Sequence, residues 1–239
     1  MFHPKGPTLT ELARQALSST TRGYDLLAPK FEYTPFRTPD ELIEPLARAA
    51  ATEPFATALD CCCGTGAIAR ALRLYATERV TGIDVSEGML AEARGLAAAG
   101  PTEASAELEF VNADVMTMSY EEEFDVIATA GAFGHILQPD QDRFLDNIWR
   151  ALTPGGRFFF ITGAMPRPTT STWWIARGFN AVMHVRNALI DPPFVMFYLT
   201  FTLERAVRLC EEKGFEVDTL APGGGDPVRE VIVAARKPW

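Results

Sequence analysis

From Thr57 onward the sequence alternates short apolar runs with segments of helical period, and that alternation leaves few folds open. "TALDCC" reads as a strand, Gly64 to Gly66 as a tight turn, and "AIARALRLYA" as a helix. "RVTGID" is a second strand, followed by the helix "SEGMLAEARGLAAA" with Ser86 placed to cap it. "ELEFVNA" and "FDVIATA" give two more strands, and "DQDRFLDNIWRAL" a helix ended by the Pro154-Gly155-Gly156 turn. The run "RFFFIT" suits a strand covered on both faces. Strands and helices alternating at this length predict an open, mostly parallel sheet between helical layers. After the helix "TLERAVRLCEEKG", the strands "FEVDTLA" and "EVIVAA" are separated by the Gly-rich "PGGGDPVR". They predict an antiparallel hairpin at the sheet edge.

Ligands of such sheets sit beyond the carboxyl ends of the strands. Asp60, Asp84, Asp114 and His135 all fall at such ends. Gly-Thr-Gly between a strand and a helix lets the backbone turn sharply beside unpaired helix N–H groups, a suitable seat for a nucleotide. "GTGAIA" also satisfies the relaxed dinucleotide fingerprint, with Asp84 about 20 residues on. Asp60, however, lies inside the turn region, where an ammonium is welcome and a pyrophosphate is not. Asp84 can take a ribose diol, and Asp114 in "NADVM" an adenine amine. A ligand carrying amino acid, ribose and adenine uses all three acids.

The adjacent Cys61, Cys62 and Cys63 raise the question of a metal or thiol centre. Neighbouring side chains on a strand point to opposite faces, so the three do not converge on one tetrahedral ion. No local base activates a thiol. The expectation is no metal, with the cysteines packed as strand and turn residues.

Taken together, "LDCCCGTG" at 59–66, "VTGIDVSEGMLAEAR" at 80–94, "NAD" at 112–114, "FDVIATAGAFGHI" at 124–136, "LTPGGRF" at 152–158 and "KGFEV" at 213–217 carry a likeness. In order and spacing the chain resembles the class I S-adenosylmethionine-dependent methyltransferases, roughly from Asp40 to Lys237. The resemblance implies a Rossmann-like αβα sandwich, with a mostly parallel seven-stranded sheet ending in an antiparallel hairpin. It implies S-adenosyl-L-methionine as cofactor. Asp60 and the Gly64-Thr65-Gly66 turn would hold the methionine part. Asp84 would take the ribose hydroxyls, with Val85 and Met89 packed beside the cofactor. Asp114 would reach the adenine amine, near the Val115 backbone, and Ala130 and Gly131 would floor the site. Where the family's turn usually has its first glycine, this chain has Cys62, read here as a tolerated side chain in the cofactor site.

Outside that core, residues 1–50 read as an N-terminal helical and irregular cap, and 51–239 as the cofactor-binding domain. Thr10 is placed to cap "ELARQALSS", and Pro39 opens "DELIEPLARAA". Residues 165–198 form an insert after strand five, rich in Trp173, Trp174, Phe179 and Phe194. It is expected to lie as a lid over an apolar or aromatic acceptor, with a dimer surface or lipid contact as rivals. Methyl transfer needs an in-line nucleophile and sometimes a base. His135, Tyr24 and Tyr33 are the candidates to serve or orient the acceptor.

The charge narrows the partners. A net charge of -9 with no basic run argues against nucleic acid. No stretch reaches the ~18 apolar residues of a membrane span, and the first residues lack a signal-peptide core. A cytoplasmic enzyme acting on a small-molecule acceptor, oxygen first and nitrogen or carbon after it, is the reading, with a homodimer left open. A nicotinamide-dependent oxidoreductase and a non-catalytic member of the fold remain as alternatives.

Overall fold

A computed structural model describes residues 3–100, 106–220 and 230–239 of the 239-residue chain. Its strands are β1 (Thr57–Cys61), β2 (Arg79–Asp84), β3 (Glu107–Asn112), β4 (Phe124–Thr129), β5 (Leu152–Thr162), β6 (Glu216–Leu220) and β7 (Val231–Arg236). They form one sheet in the order β3-β2-β1-β4-β5-β7-β6. The first five strands pair in parallel, and β7 runs antiparallel to both β5 and β6. This is the αβα arrangement that the alternation predicts. The connection expected to close the β6–β7 hairpin falls on 221–229, outside the described residues.

Alternation along each strand sends side chains to two cores. Ala58, Val80, Val126, Ala128 and Phe159 face α3 (Asp40–Ala50) and α4 (Ala67–Arg73). Leu59, Ile83, Ile127, Phe158 and Phe160 face α6 (Gln141–Ala151) and α8 (Leu203–Lys213). Both faces of β5 are buried, which is why "RFFFIT" shows no polar alternation. Ser86 does cap α5 (Glu87–Ala98), its hydroxyl accepting from the Met89 N–H at 3.2 Å.

Two boundaries differ from the expectation. Thr8, not Thr10, caps α1 (Leu9–Ala16), because Thr8 and Glu11 complete a reciprocal capping box. Between α1 and α3 the cap, read as helical and irregular, forms α2 (Thr20–Leu27) and a 3-10 turn over Ala28–Tyr33. The segment before "RFFFIT" joins β5 at Leu152, with a register shift against β4 and a left-handed Gly155, φ 77°.

The insert is mainly α7 (Ser171–Leu189). Its inner side sets Met183 against Phe194 and Phe197. Arg186, buried, binds its end to the α1–α2 junction by donating to the Ala16 and Ser18 carbonyls at 2.9 and 2.7 Å. Among the described residues no helix is long and apolar enough to cross a membrane.

Candidate active site

The sheet order reverses between β1 and β4, and the loops leaving their carboxyl ends open a cleft of about 360 Å3. Its floor is built by an unusual run of backbone. Cys62, Gly64 and Gly66 all adopt left-handed φ, at 56°, 52° and 76°. Glycine holds this conformation without cost, whereas Cys62 holds it against the clash of its own Cβ. A side chain on Gly66 would also meet Phe110 at 2.6 Å, so only glycine lets β1 pass into α4 here. Gly66 shapes the turn from behind and does not line the cleft, unlike Gly64 and Thr65.

Two carboxylates hold this backbone in place, and a third stands at the end of β3. Asp60 is buried and accepts the Ala69 N–H at 2.9 Å, satisfying a donor inside the first turn of α4. Burial, with the negative Asp84 nearby, pushes its carboxyl up to about 8 despite that hydrogen bond. Asp84 receives the Gly64 N–H on one oxygen and the Ser86 N–H on the other, each at 2.9 Å. Its pKa is raised by burial, against the backbone donors. Asp114, more exposed, accepts from the Met116 N–H at 2.8 Å on one oxygen. Each acid retains lone pairs toward the cleft, in the order of the strands that carry them. Val85, Met89 and Val115 line the wall between them, and Ala130 and Gly131 the opposite side. Burial raises the Cys62 thiol well above its usual range, so it offers the cleft a neutral side chain.

The N-terminal segment closes the top. Asp25 accepts from the Ser86 hydroxyl at 2.6 Å and the Gly88 N–H at 3.0 Å, fixing α2 to the start of α5. Glu32 accepts from the Thr65 hydroxyl at 2.6 Å and pairs with Arg37 at 2.9 Å. Phe31, Phe36, Arg37 and Thr38 thereby reach the cleft. The sequence reading missed all of these, since nothing local marks an acid that bonds a turn more than thirty residues away. Tyr33 is the reverse case: the structure stacks it on His3, ring centroids 4.9 Å apart, outside the cleft. It belongs to the outer surface of the 3-10 turn and not to the site.

Tyr24 and His135 do come together. The His135 Nδ1 lies 2.6 Å from the Val195 carbonyl, which can only accept, so Nδ1 carries the proton. Nε2 then accepts from the Tyr24 hydroxyl at 2.8 Å. Burial lowers the His135 pKa and raises that of Tyr24, so both are held neutral. A second cavity, about 1120 Å3, lies under the insert and shares Gly131 and His135 with the cleft. Its walls include Phe133, Met165, Met196, Phe197 and Phe201. His184, on α7, stands apart from the dyad and packs on Phe197 at 4.6 Å.

Comparison with known proteins bears on this arrangement. Residues 58–156 match a family model described as a methyltransferase domain. The demethylmenaquinone methyltransferase of Lactobacillus johnsonii is 32% identical over 171 residues, covering 66% of this chain and 67% of that protein. That of Oceanobacillus iheyensis is 34% identical over 112 residues, covering 46% of this chain and 45% of that protein. Against the latter and its Symbiobacterium thermophilum counterpart, the chain spans under half of the relative's length. Among solved structures, the DhpI–SAH complex superposes with TM-score 0.66 at 18% identity, covering 97% of this chain and 99% of that one. Magnesium protoporphyrin IX methyltransferase from Synechocystis gives 0.60 at 13%, covering 95% and 99%. At those identities the two structures establish a shared fold.

Two measurements test the site's physics. Folded Asp60 keeps its proton to about pH 8, whereas the unfolded chain releases it near 4, so the folded state binds more protons between these values. That contribution is present below pH 4 and is lost as pH rises toward 8. Asp60→Asn therefore has a flatter melting profile over this window than the parent, and a higher Tm at pH 8, by calorimetry without ligand. For Cys62, urea titration separates backbone strain from packing. Cys62→Gly stays within about 1 kcal/mol, because relieved strain offsets lost burial and added chain entropy. Cys62→Val, β-branched in the left-handed region, loses about 2–3 kcal/mol.

Proposed function

The chain belongs to the class I S-adenosylmethionine-dependent methyltransferases, and from that premise we propose that it methylates a small, apolar or aromatic acceptor bearing an ionisable hydroxyl. One observation carries the reading: the cleft and the larger, partly aromatic cavity meet at Gly131 and His135, where the Tyr24–His135–Val195 chain of hydrogen bonds lies. The cleft residues suit the cofactor. Asp84 would hold the ribose hydroxyls with its remaining lone pairs, and Asp114 the adenine amine. Asp60, an acid buried with no cation among its hydrogen-bond partners, would gain one in the ammonium of the methionine portion. S-adenosylmethionine supplies an electrophilic methyl group and a sulfur leaving group.

The protein's own part is to position the acceptor, exclude water and receive a proton. Tyr24 donates to His135, which leaves its oxygen lone pairs able to accept from an acceptor hydroxyl. Proton movement from that hydroxyl to Tyr24, and from Tyr24 to Nε2, returns the tyrosine to its starting state and leaves an imidazolium. Burial disfavours that imidazolium on its own. The ring gains one positive charge with the proton, which would offset the charge given up by a cationic methyl donor in the cleft. The Val195 carbonyl steadies the cation. Proton removal activates the hydroxyl oxygen, the first candidate atom. It also activates a conjugated ring carbon, a second reading favoured by relatives named for demethylmenaquinone. The N-terminal segment before α3 covers the cofactor chamber through Thr20 to Thr38, whereas α3, within the 1–50 read as cap, packs in the helical layer against the sheet; the insert covers the acceptor chamber.

The class is tested by titrating cofactor-stripped protein with S-adenosylhomocysteine and, in parallel, NAD. Saturation at 1:1 by the first alone is expected, weakened at least tenfold in Asp84→Ala. Binding of NAD in its place would sink the reading. The dyad is tested with hydroxynaphthalene acceptors. Tyr24→Phe and His135→Asn each lower kcat by about 10²–10⁴, while S-adenosylhomocysteine affinity changes only a few-fold. Unchanged kcat in both variants removes the proton-transfer role.

A further inference from the structure

The chain carries 31 acids against 22 Lys and Arg, yet among the described residues the walls under the insert contain no Asp or Glu. From Gly163 to Thr202 the sequence has three arginines and one acid, Asp191. Arg186 is consumed structurally by backbone carbonyls. Arg167 and Arg177 form no ion pair among the described residues, whereas Arg37, Arg94, Arg143 and Arg236 all do. These two unpaired guanidiniums line the cavities.

Arg177 has the more defined setting. A side chamber of about 340 Å3 continues the acceptor cavity past Met165, Phe197 and Tyr198, which line both. Trp173, Arg177 and His184 wall it from α7. The guanidinium of Arg177, an exposed residue, lies over the Trp173 ring, 5.4 Å from its centroid, and its donors remain available to a ligand. Asn180 locks the opposite wall by exchanging hydrogen bonds with the backbone of Tyr198 at 2.9 and 2.8 Å. A guanidinium over an aromatic ring, in a chamber with no acid among the described residues, suits a carboxylate on a ring.

We propose that the acceptor is an aromatic acid, its hydroxyl at Tyr24–His135 and its carboxylate on Arg177 in the side chamber. This rests on the acceptor-chamber reading above and adds the second functional group that selects the substrate. Arg177 is then a specificity residue, remote from the methyl transfer itself.

The experiment uses the full chain saturated with S-adenosylhomocysteine and two matched probes, 6-hydroxy-2-naphthoate and 6-hydroxy-2-naphthamide, by calorimetry. The acid binds about tenfold tighter than the amide at low salt, and added salt erodes the difference. Arg177→Met, which keeps the stem's bulk, abolishes the preference without altering S-adenosylhomocysteine affinity or Tm, while Arg167→Met retains it. Equal binding of the probes, no binding of either, or a preference that survives Arg177→Met and falls with Arg167→Met overturns the proposal. Turnover with S-adenosylmethionine separates the two readings. Selective binding of the acid through Arg177 without its methylation sinks the acceptor chemistry alone. Methylation of acid and amide alike, indifferent to Arg177→Met, sinks only this inference.

Discussion

The rest of the site hangs from a backbone reversal that L-residues resist. To leave β1 and enter α4 within a few residues, the chain takes left-handed φ at Cys62, Gly64 and Gly66. Once it does, consequences follow by contact. The Gly64 N–H turns to Asp84, tying the end of β2 to the turn, and Asp60 beneath takes up the Ala69 N–H of the new helix. Phe110 on β3 fills the space that Gly66 leaves. Two strand ends and a helix start are thus locked by one conformational choice. The price of Cys62 in that choice is local strain, borne where the wall of a binding cleft must also be small.

The covering segments are fastened by the same kind of interaction. Asp25 and Glu32 reach down from the N-terminal segment to Ser86, Gly88 and Thr65, so the cover is pinned to both rims of the cleft. His135 joins a third piece, accepting from Tyr24 of the cover and donating to Val195 of the insert. A sheet, a cap and an insert that are remote in sequence therefore converge on one imidazole. Apolar packing joins these bonds: Leu27 and Ala28 are buried, and Tyr24 packs on Phe31 and Phe194.

How much of this the sequence discloses depends on the range of the interaction. The β–α alternation is local and periodic, and β1 to β4 fall where the pattern puts them. Asp60, Asp84 and Asp114 are legible because strand ends are legible, and the strand order brings them to one side. Tyr24 and His135 were separate candidates; their hydrogen bond spans 111 positions and has no local signature. Asp25 and Glu32 are invisible for the same reason. Tyr33 misleads because an aromatic near the site in sequence can turn either way on a 3-10 segment, and here it turns outward to His3. In α7, the excess of large apolar residues reads as a lid, yet only part of it faces inward. Trp174, Ile175, Val182, Val185 and Leu189 share an exposed outer face, which composition cannot separate from the packed one.

The link between Tyr24 and His135 makes one segment complete another. Tyr24 lies on α2, which lines the cleft through Thr20, Thr21 and Tyr24. The imidazole meets its phenol partner only where α2 is seated against the loop that follows β4. On the proposed chemistry, a relay from an acceptor hydroxyl would therefore need the N-terminal segment in place as well as the sheet. One hydrogen bond makes the completeness of the site depend on the docking of a segment 111 positions away.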